Sequence, residues 1–358
     1  MESVITSAGG AAASNTGMTG RDRFLAAAGR KPVDCIPVWF MRQAGRCLPE
    51  YRAMRQQYSF MEMATTPELA AEATLLPVDI LGVDAAVLFA DIMLPLASLG
   101  VPFEIRPGVG PVILSPIRTR DDIARLEFLP AGEGTPYVMQ ALRILRERLG
   151  DRAALLGFAG APFTLACYLI EGKPSREFPR AKAMLYGEPD LWHALMERLT
   201  AVTTDYLLAQ AKAGADAVQL FDSWLGLLDR ETFRDAVLPY TQQIFAGVGS
   251  HVPTIHFSTG TDTLLEDIGR SGCQAVSIDW RTSLSSARAR LPEHVAIQGN
   301  LDPALMLAPW PVVERGVDSL LRQAGQRPGY IFNLGHGIIP ETDPANLARV
   351  VKLVHQRP

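Results

Sequence analysis

Short apolar, β-rich runs recur along the chain at 35–40, 85–89, 154–158, 217–221, 253–257, 275–278, 295–298 and 330–333. Each is followed by a stretch whose apolar positions return every three or four residues. That alternation is the sequence form of strand–helix units around a parallel sheet, and eight such runs suit a closed barrel. The clearest helical stripe is Leu191, Leu195, Leu199, Val202, Tyr206, Ala209 and Ala213, with Gly214 as the expected C-cap. Thr66-Pro67-Glu68 predicts another helix start, with Thr66 as N-cap, proline in the first turn and a charge that suits the helix dipole. The segment 101–129, with Pro102, Pro107, Pro111 and Pro116, reads as an irregular excursion between barrel units. The uncharged stretch 153–170 is long enough to raise a membrane helix, but Gly157, Gly160, Pro162 and Thr164 divide it into strand, loop and helix.

A doubly wound open sheet competes with the barrel, yet it usually carries a glycine-rich phosphate turn after its first strand. No GxGxxG occurs, and Gly108-Val109-Gly110-Pro111 lies in a proline-rich loop. With no internal repeat and no linker, the expected organisation is a single (β/α)8 TIM-type barrel over 21–358 behind a flexible N-terminal tail, 1–20.

Composition narrows the partners. The 358 residues carry a net charge of −4, which argues against nucleic acid or an anionic membrane as a general partner. An anionic ligand must therefore meet a local positive cluster. Cys35, Cys47, Cys167 and Cys273 are scattered and show no metal-finger spacing, so they read as reduced thiols in a cytoplasmic protein. The tail is rich in Ala, Gly, Ser and Thr and has no apolar signal core. Glu2, and the lack of arginine before Arg21, weigh against an organellar transit peptide.

In a barrel the reactive groups sit where strands end. Reading just past each candidate strand gives Arg42, Asp91, Ser223, His256, Asp279, Asn300 and His336, with Tyr168 after a longer loop. The first loop stands out: Arg42, Arg46, Arg52 and Arg55 fall within fourteen residues, opposed only by Glu50. Guanidinium groups grip carboxylates and phosphates bidentately, so the cluster suits a ligand with several acidic groups. A solvated face with internal ion pairs is the plainer reading. Gln43-Ala44-Gly45 favours the first, because small residues let backbone approach a ligand. Asp91 ends the apolar run Ala85-Ala86-Val87-Leu88-Phe89-Ala90, and is either a desolvated acceptor for ligand N–H groups or a helix cap. Asp222 and Ser223 face the same choice between site and cap. His336, between Gly335 and Gly337, is exposed by flexible backbone at the last strand's end.

At these residues the chain resembles the uroporphyrinogen decarboxylase family. The likeness rests on Pro37-Val38-Trp39-Phe40-Met41-Arg42-Gln43-Ala44-Gly45-Arg46 with Pro49 and Tyr51, and on Phe89-Ala90-Asp91-Ile92. It continues through Gly160-Ala161-Pro162-Phe163-Thr164 with Tyr168 and Glu171-Gly172, Phe221-Asp222-Ser223-Trp224, Gln298-Gly299-Asn300-Leu301-Asp302-Pro303 and Phe332-Asn333-Leu334-Gly335-His336-Gly337-Ile338. Cys47 and Phe163 depart from it, standing where Tyr or Trp is common in the family. The resemblance implies a (β/α)8 barrel, usually a homodimer, that removes four acetate carboxyls from uroporphyrinogen III in the cytoplasm without metal or cofactor. It also implies that Arg42, Arg46, Arg55, Asp91, Tyr168, Ser223 and His336 contact substrate, with Asp91, Arg42 and His336 as the catalytic candidates.

Two other readings remain. Methyltransferases on the same barrel use a zinc-bound thiolate in a pattern resembling His-x-Cys-Gly, but that place here reads His256-Phe257-Ser258-Thr259-Gly260, and serine is a poor zinc ligand. A porphyrinogen-binding protein without turnover would need the arginines but neither Asp91 nor His336.

Overall fold

The computed structural model describes residues 17–106 and 108–357. The tail expectation for 1–16 lies outside them. Thr19 caps a helix that begins at Gly20, its side chain accepting from the Asp22 amide.

Nine strands are present among the described residues: β1 (Ala85–Val87), β2 (Phe103–Arg106), β3 (Gly110–Ile113), β4 (Ala154–Gly160), β5 (Ala217–Asp222), β6 (Thr254–Ser258), β7 (Ala275–Ser277), β8 (Ala296–Leu301) and β9 (Tyr330–Leu334). Seven of them form one all-parallel sheet in the order β1-β4-β5-β6-β7-β8-β9. Strands covered on both faces by barrel interior and helices read as continuous apolar runs, and β4 to β9 are buried at every position.

The expected first strand, 35–40, needs correction. Only Val38 forms a ladder bridge, to Phe332 of β9. Even so, the segment spans the gap between the sheet's edges. The Phe332 amide donates to Pro37, the Trp39 amide to Phe332, and on the other side the Asp84 amide donates to Val38. Pro37 has no amide to add a rung, so the eighth position of the TIM-type barrel is filled by a frayed strand. Inside the barrel, Trp39 Nε1 donates to Gln298 Oε1 (2.9 Å), and Gln298 Nε2 donates to Gln219 (2.9 Å) and Ser277 (3.0 Å). This chain of buried side chains ties the frayed segment to β5, β7 and β8.

Elsewhere the pattern reading meets the structure closely. The long stripe is a helix, Pro189–Lys212, capped by Ala213 rather than Gly214, which follows in the left-handed region at φ 113°. The stretch 153–170 divides into β4 and the helix Pro162–Glu171. No helix among the described residues is long and apolar enough to cross a membrane. One expectation fails and another is met only in part. The excursion 101–129 contains the antiparallel pair β2 and β3, since Pro111 can sit in an edge strand whose N–H is not needed. Thr66 occupies the N-cap of the helix Pro67–Leu81, but its side chain makes no capping bond.

Candidate functional site

The loop 41–46 is fastened from both sides. The Met41 amide donates to Asn333 Oδ1 (3.0 Å), and the Ile338 amide to the Met41 carbonyl (2.9 Å). Gln43, which opens the stretch Gln43-Ala44-Gly45 expected to let backbone approach a ligand, is fully buried: it accepts from the Phe40 amide (3.0 Å) and donates to the Ala85 carbonyl (2.8 Å). Its part is to anchor the loop to the start of β1. Between these ties Arg42 sits at φ 61°, a left-handed conformation that a residue with a Cβ adopts at a cost of about 1–2 kcal/mol.

That backbone turn lays the Arg42 side chain across Gly337. A Cβ there would come within 2.4 Å of Arg42 Cδ, so the glycine beside His336 is what gives the arginine its path. Arg42 thereby lies close enough to Asp91, Tyr168 and His336 to act on all three electrostatically. The arginine expected to grip substrate and three of the other candidates are thus brought together from three loops and one helix.

Asp91 follows β1 and runs beside Gly160 at the end of β4, whose amide donates to Ile92. One oxygen accepts from the Met93 amide (2.9 Å), and the carboxylate has no ion pair among the described residues. Burial pushes it up to about 6, against the smaller opposing pulls of the Met93 amide and Arg42. It remains largely ionised at neutral pH and is short of donors.

Burial also lowers His336 to about 4, helped by Arg42, so its imidazole is neutral at pH 7. Its ring stands edge-on to Phe257, which continues through Phe221 to Phe158 as an aromatic floor at the strand ends, with centroids 5.3 to 6.0 Å apart. Tyr168, from the helix after β4, is pushed up to about 12 by burial and packs with Phe178 and Trp224. Ser223 lies half-buried beside Trp224, and its carbonyl accepts from Thr259. The result is an apolar, aromatic bowl with few polar groups facing in.

Arg46 and Arg55 sit farther out. With Tyr51, Arg52, Gln56, Pro340 and Glu341 they line an open cleft of about 540 Å³. Arg52 is partly spent on the Arg46 and Cys47 carbonyls. No ion pair among the described residues engages Arg42, Arg46, Arg52 or Arg55, so the reading of this cluster as a face of internal salt bridges does not hold.

Three other strand-end candidates are sealed in or already bonded, though Asp279 still acts on His336 electrostatically. His256 is buried within β6 against Phe245, because the strand continues to Ser258. Asp279 accepts from Gly260 and Arg281, and Asn300 donates to the Asp279 and Thr282 carbonyls, so both hold loops in place. The zinc alternative finds no donor set: Ser258 is hydrogen-bonded to Thr261 (2.8 Å), and no group of three His, Cys, Asp or Glu among the described residues is placed to hold a metal. Sequence reasoning missed Gln43, Asn333 and Gly337 as positioning residues. Only Gly337 carried a local signal, its place beside His336.

Comparison with known proteins gives the family. The chain is 52% identical to a uroporphyrinogen decarboxylase from Salinispora tropica, over 93% of this chain and 90% of that one. It is 50% identical to the Thermobifida fusca protein of the same name, over 93% and 92%. Among solved structures, a methyltransferase from Methanosarcina mazei superposes with a TM-score of 0.76 at 20% identity, covering 95% of this chain and 99% of that one, a likeness of fold alone. Residues 19–357 match the family described as Uroporphyrinogen decarboxylase (URO-D), and this chain belongs to that family.

Proposed function

We propose that this chain is a carboxy-lyase that converts uroporphyrinogen III to coproporphyrinogen III by removing four acetate carboxyls as CO2. The observation that carries the reading is the pairing of an under-bonded carboxylate, Asp91, with the nearby Arg42, beside a farther cleft lined by Arg46 and Arg55 that have no ion pair among the described residues. The substrate has eight carboxylates outside and four pyrrole N–H donors inside, so it calls for cations at the edge and an acceptor at the centre. Arg42, Arg46 and Arg55 hold carboxylates; Asp91 accepts the inward N–H groups.

A pyrrole protonated on a ring carbon becomes a cationic electron sink. When the acetate C–C bond breaks, its electron pair flows into that ring and CO2 leaves; a proton then completes the methyl group and the ring carbon gives back its own proton, restoring the pyrrole. The substrate itself supplies the sink, so in this reading no cofactor takes part. Asp91, held in a dry site before the cation forms, stabilises it by about 3–4 kcal/mol. A guanidinium is a poor acid, so Arg42 orients the reacting carboxylate and a water or substrate carboxyl that donates the proton. His336, neutral at pH 7, Tyr168 and Ser223 orient carboxylates by hydrogen bonds, and His336 can relay a proton.

The catalytic unit is the barrel over 21–358, working as a cytoplasmic homodimer. Incubating the pure protein with uroporphyrinogen III without oxygen should give successive mass losses of one CO2, ending after four. Binding without mass loss would favour the carrier reading, and stoichiometric zinc on the purified protein would favour the methyltransferase.

A further inference from the structure

A second unpaired arginine cluster lies at the opposite pole of the barrel. Arg42, Asp91 and His336 follow strand ends, whereas Arg30, Arg288 and Arg327 all precede strands. Arg30 follows the helix Gly20–Ala28, Arg288 lies in the last turn of the helix Leu284–Arg290, and Arg327 falls between the helix Trp310–Ala324 and β9. They converge. Arg30 Nη1 donates to the Val295 carbonyl (3.2 Å), and the Arg30 stem lies against Gly329, where a Cβ would meet its Cγ at 2.6 Å. Arg288 Nη2 reaches the Arg327 carbonyl at 3.5 Å.

No carboxylate answers this charge. Two residues beyond Arg288, Arg290 pairs with both Asp262 and Glu266, yet Arg30, Arg288 and Arg327 have no ion pair among the described residues. Arg288 Nε is buried with no hydrogen-bond partner there. Burial, and then Arg30 and Arg327, lower the Arg288 guanidinium below its ordinary value. Beside it opens a cleft of about 390 Å³ lined by Ser285, Arg288, Gln323, Gln326 and Arg327. Arginines commonly sit at helix C-termini, where carbonyl groups attract them. That accounts for the one bond to Arg327, but not for the buried unpaired Nε or for three like charges left without a counter-ion.

We propose that this polar cleft binds a small, multiply charged oxyanion, a phosphate or a polycarboxylate. Arg288 and Arg327 carry its charge, and the Ser285 hydroxyl and the Gln323 and Gln326 amides offer further donors. The site is separate from the decarboxylation bowl and does not depend on that reading.

Calorimetric titration with inorganic phosphate and, separately, with citrate at fixed ionic strength tests it. The variant Arg46→Gln/Arg55→Gln removes the open cleft at the other pole, and saturable one-to-one binding should survive in it. In Arg288→Gln/Arg327→Gln the affinity of that site should fall tenfold or more, with decarboxylation unchanged. Tighter binding of phosphate than of citrate assigns the occupant as a phosphate, and the reverse as a polycarboxylate. A second measurement needs no ligand. Because the cluster repels itself, Arg327→Gln should raise the melting temperature in low-salt, anion-free buffer, whereas saturating anion should raise that of the wild type by a few degrees. Identical titrations for wild type and Arg288→Gln/Arg327→Gln, or a lower melting temperature for Arg327→Gln without anion, would overturn the proposal.

Discussion

The short strand β1 has an aspartate on either side, and the two live in opposite circumstances. Asp84, just before it, is 3% exposed and saturated: Arg23 and His355 reach its carboxylate, and the Val38 amide donates to it at 2.7 Å. Asp91, just after it, accepts one hydrogen bond from the Met93 amide and has no ion pair among the described residues. Asp84 ties the helix Gly20–Ala28, the C-terminal helix Pro344–Gln356 and the frayed first strand into one joint at the foot of the barrel. Asp91 is held ready for donors that the protein does not supply. A carboxylate whose bonds are all made is a stability element; one whose bonds are withheld is a site.

The largest effect should come from breaking the saturated partner. Asp84→Ala strips three donors of their acceptor and is expected to cost about 3–5 kcal/mol of stability, read by denaturant unfolding, while turnover per folded molecule is preserved. Asp91→Asn should do the reverse. Decarboxylation falls by about 10²–10³-fold, yet the protein melts higher. The sign follows from a folded pKa of about 6 against an ordinary 3.8. Stability from this group is fully present below pH 4 and is lost as pH rises through 6, on the order of 3 kcal/mol at neutral pH. Asparagine escapes that loss, so a lower melting temperature for Asp91→Asn would mean that the carboxylate is structural after all.

Arg42→Lys keeps the charge but removes the planar fork. Roughly a tenfold loss in kcat/KM is expected, the equivalent of one charge-assisted hydrogen bond; unchanged kinetics would remove Arg42 from the site. The mildest test is pH. With ionised Asp91 required, kcat/KM should stand near half its plateau at about pH 6 and fall tenfold per pH unit below, a limb that Asp91→Asn should lack.

Most of the sheet was legible beforehand, because a strand covered on both faces must be apolar along its length, and that is a local property. Seven of the eight predicted runs are sheet strands. The eighth is frayed since Pro37 has no amide. The Arg42 to Arg46 cluster, Asp91 and His336 were likewise readable from charge, spacing and a family likeness. His256, Asp279 and Asn300 looked equivalent to them by position, and only their surroundings separate them: one is sealed against Phe245, and two are satisfied by neighbouring loops.

By itself, then, the amino-acid sequence determined the succession of strands and helices, the presence of a positive loop and the family to which it belongs. Tertiary structure alone decided which polar groups are satisfied. Whether Asp84 or Asp91 finds its donors depends on residues as distant as His355, and whether Arg42 reaches across to Asp91 depends on the missing side chain of Gly337. Hydrogen-bond satisfaction and close packing are made between segments far apart along the chain, so no local pattern records them.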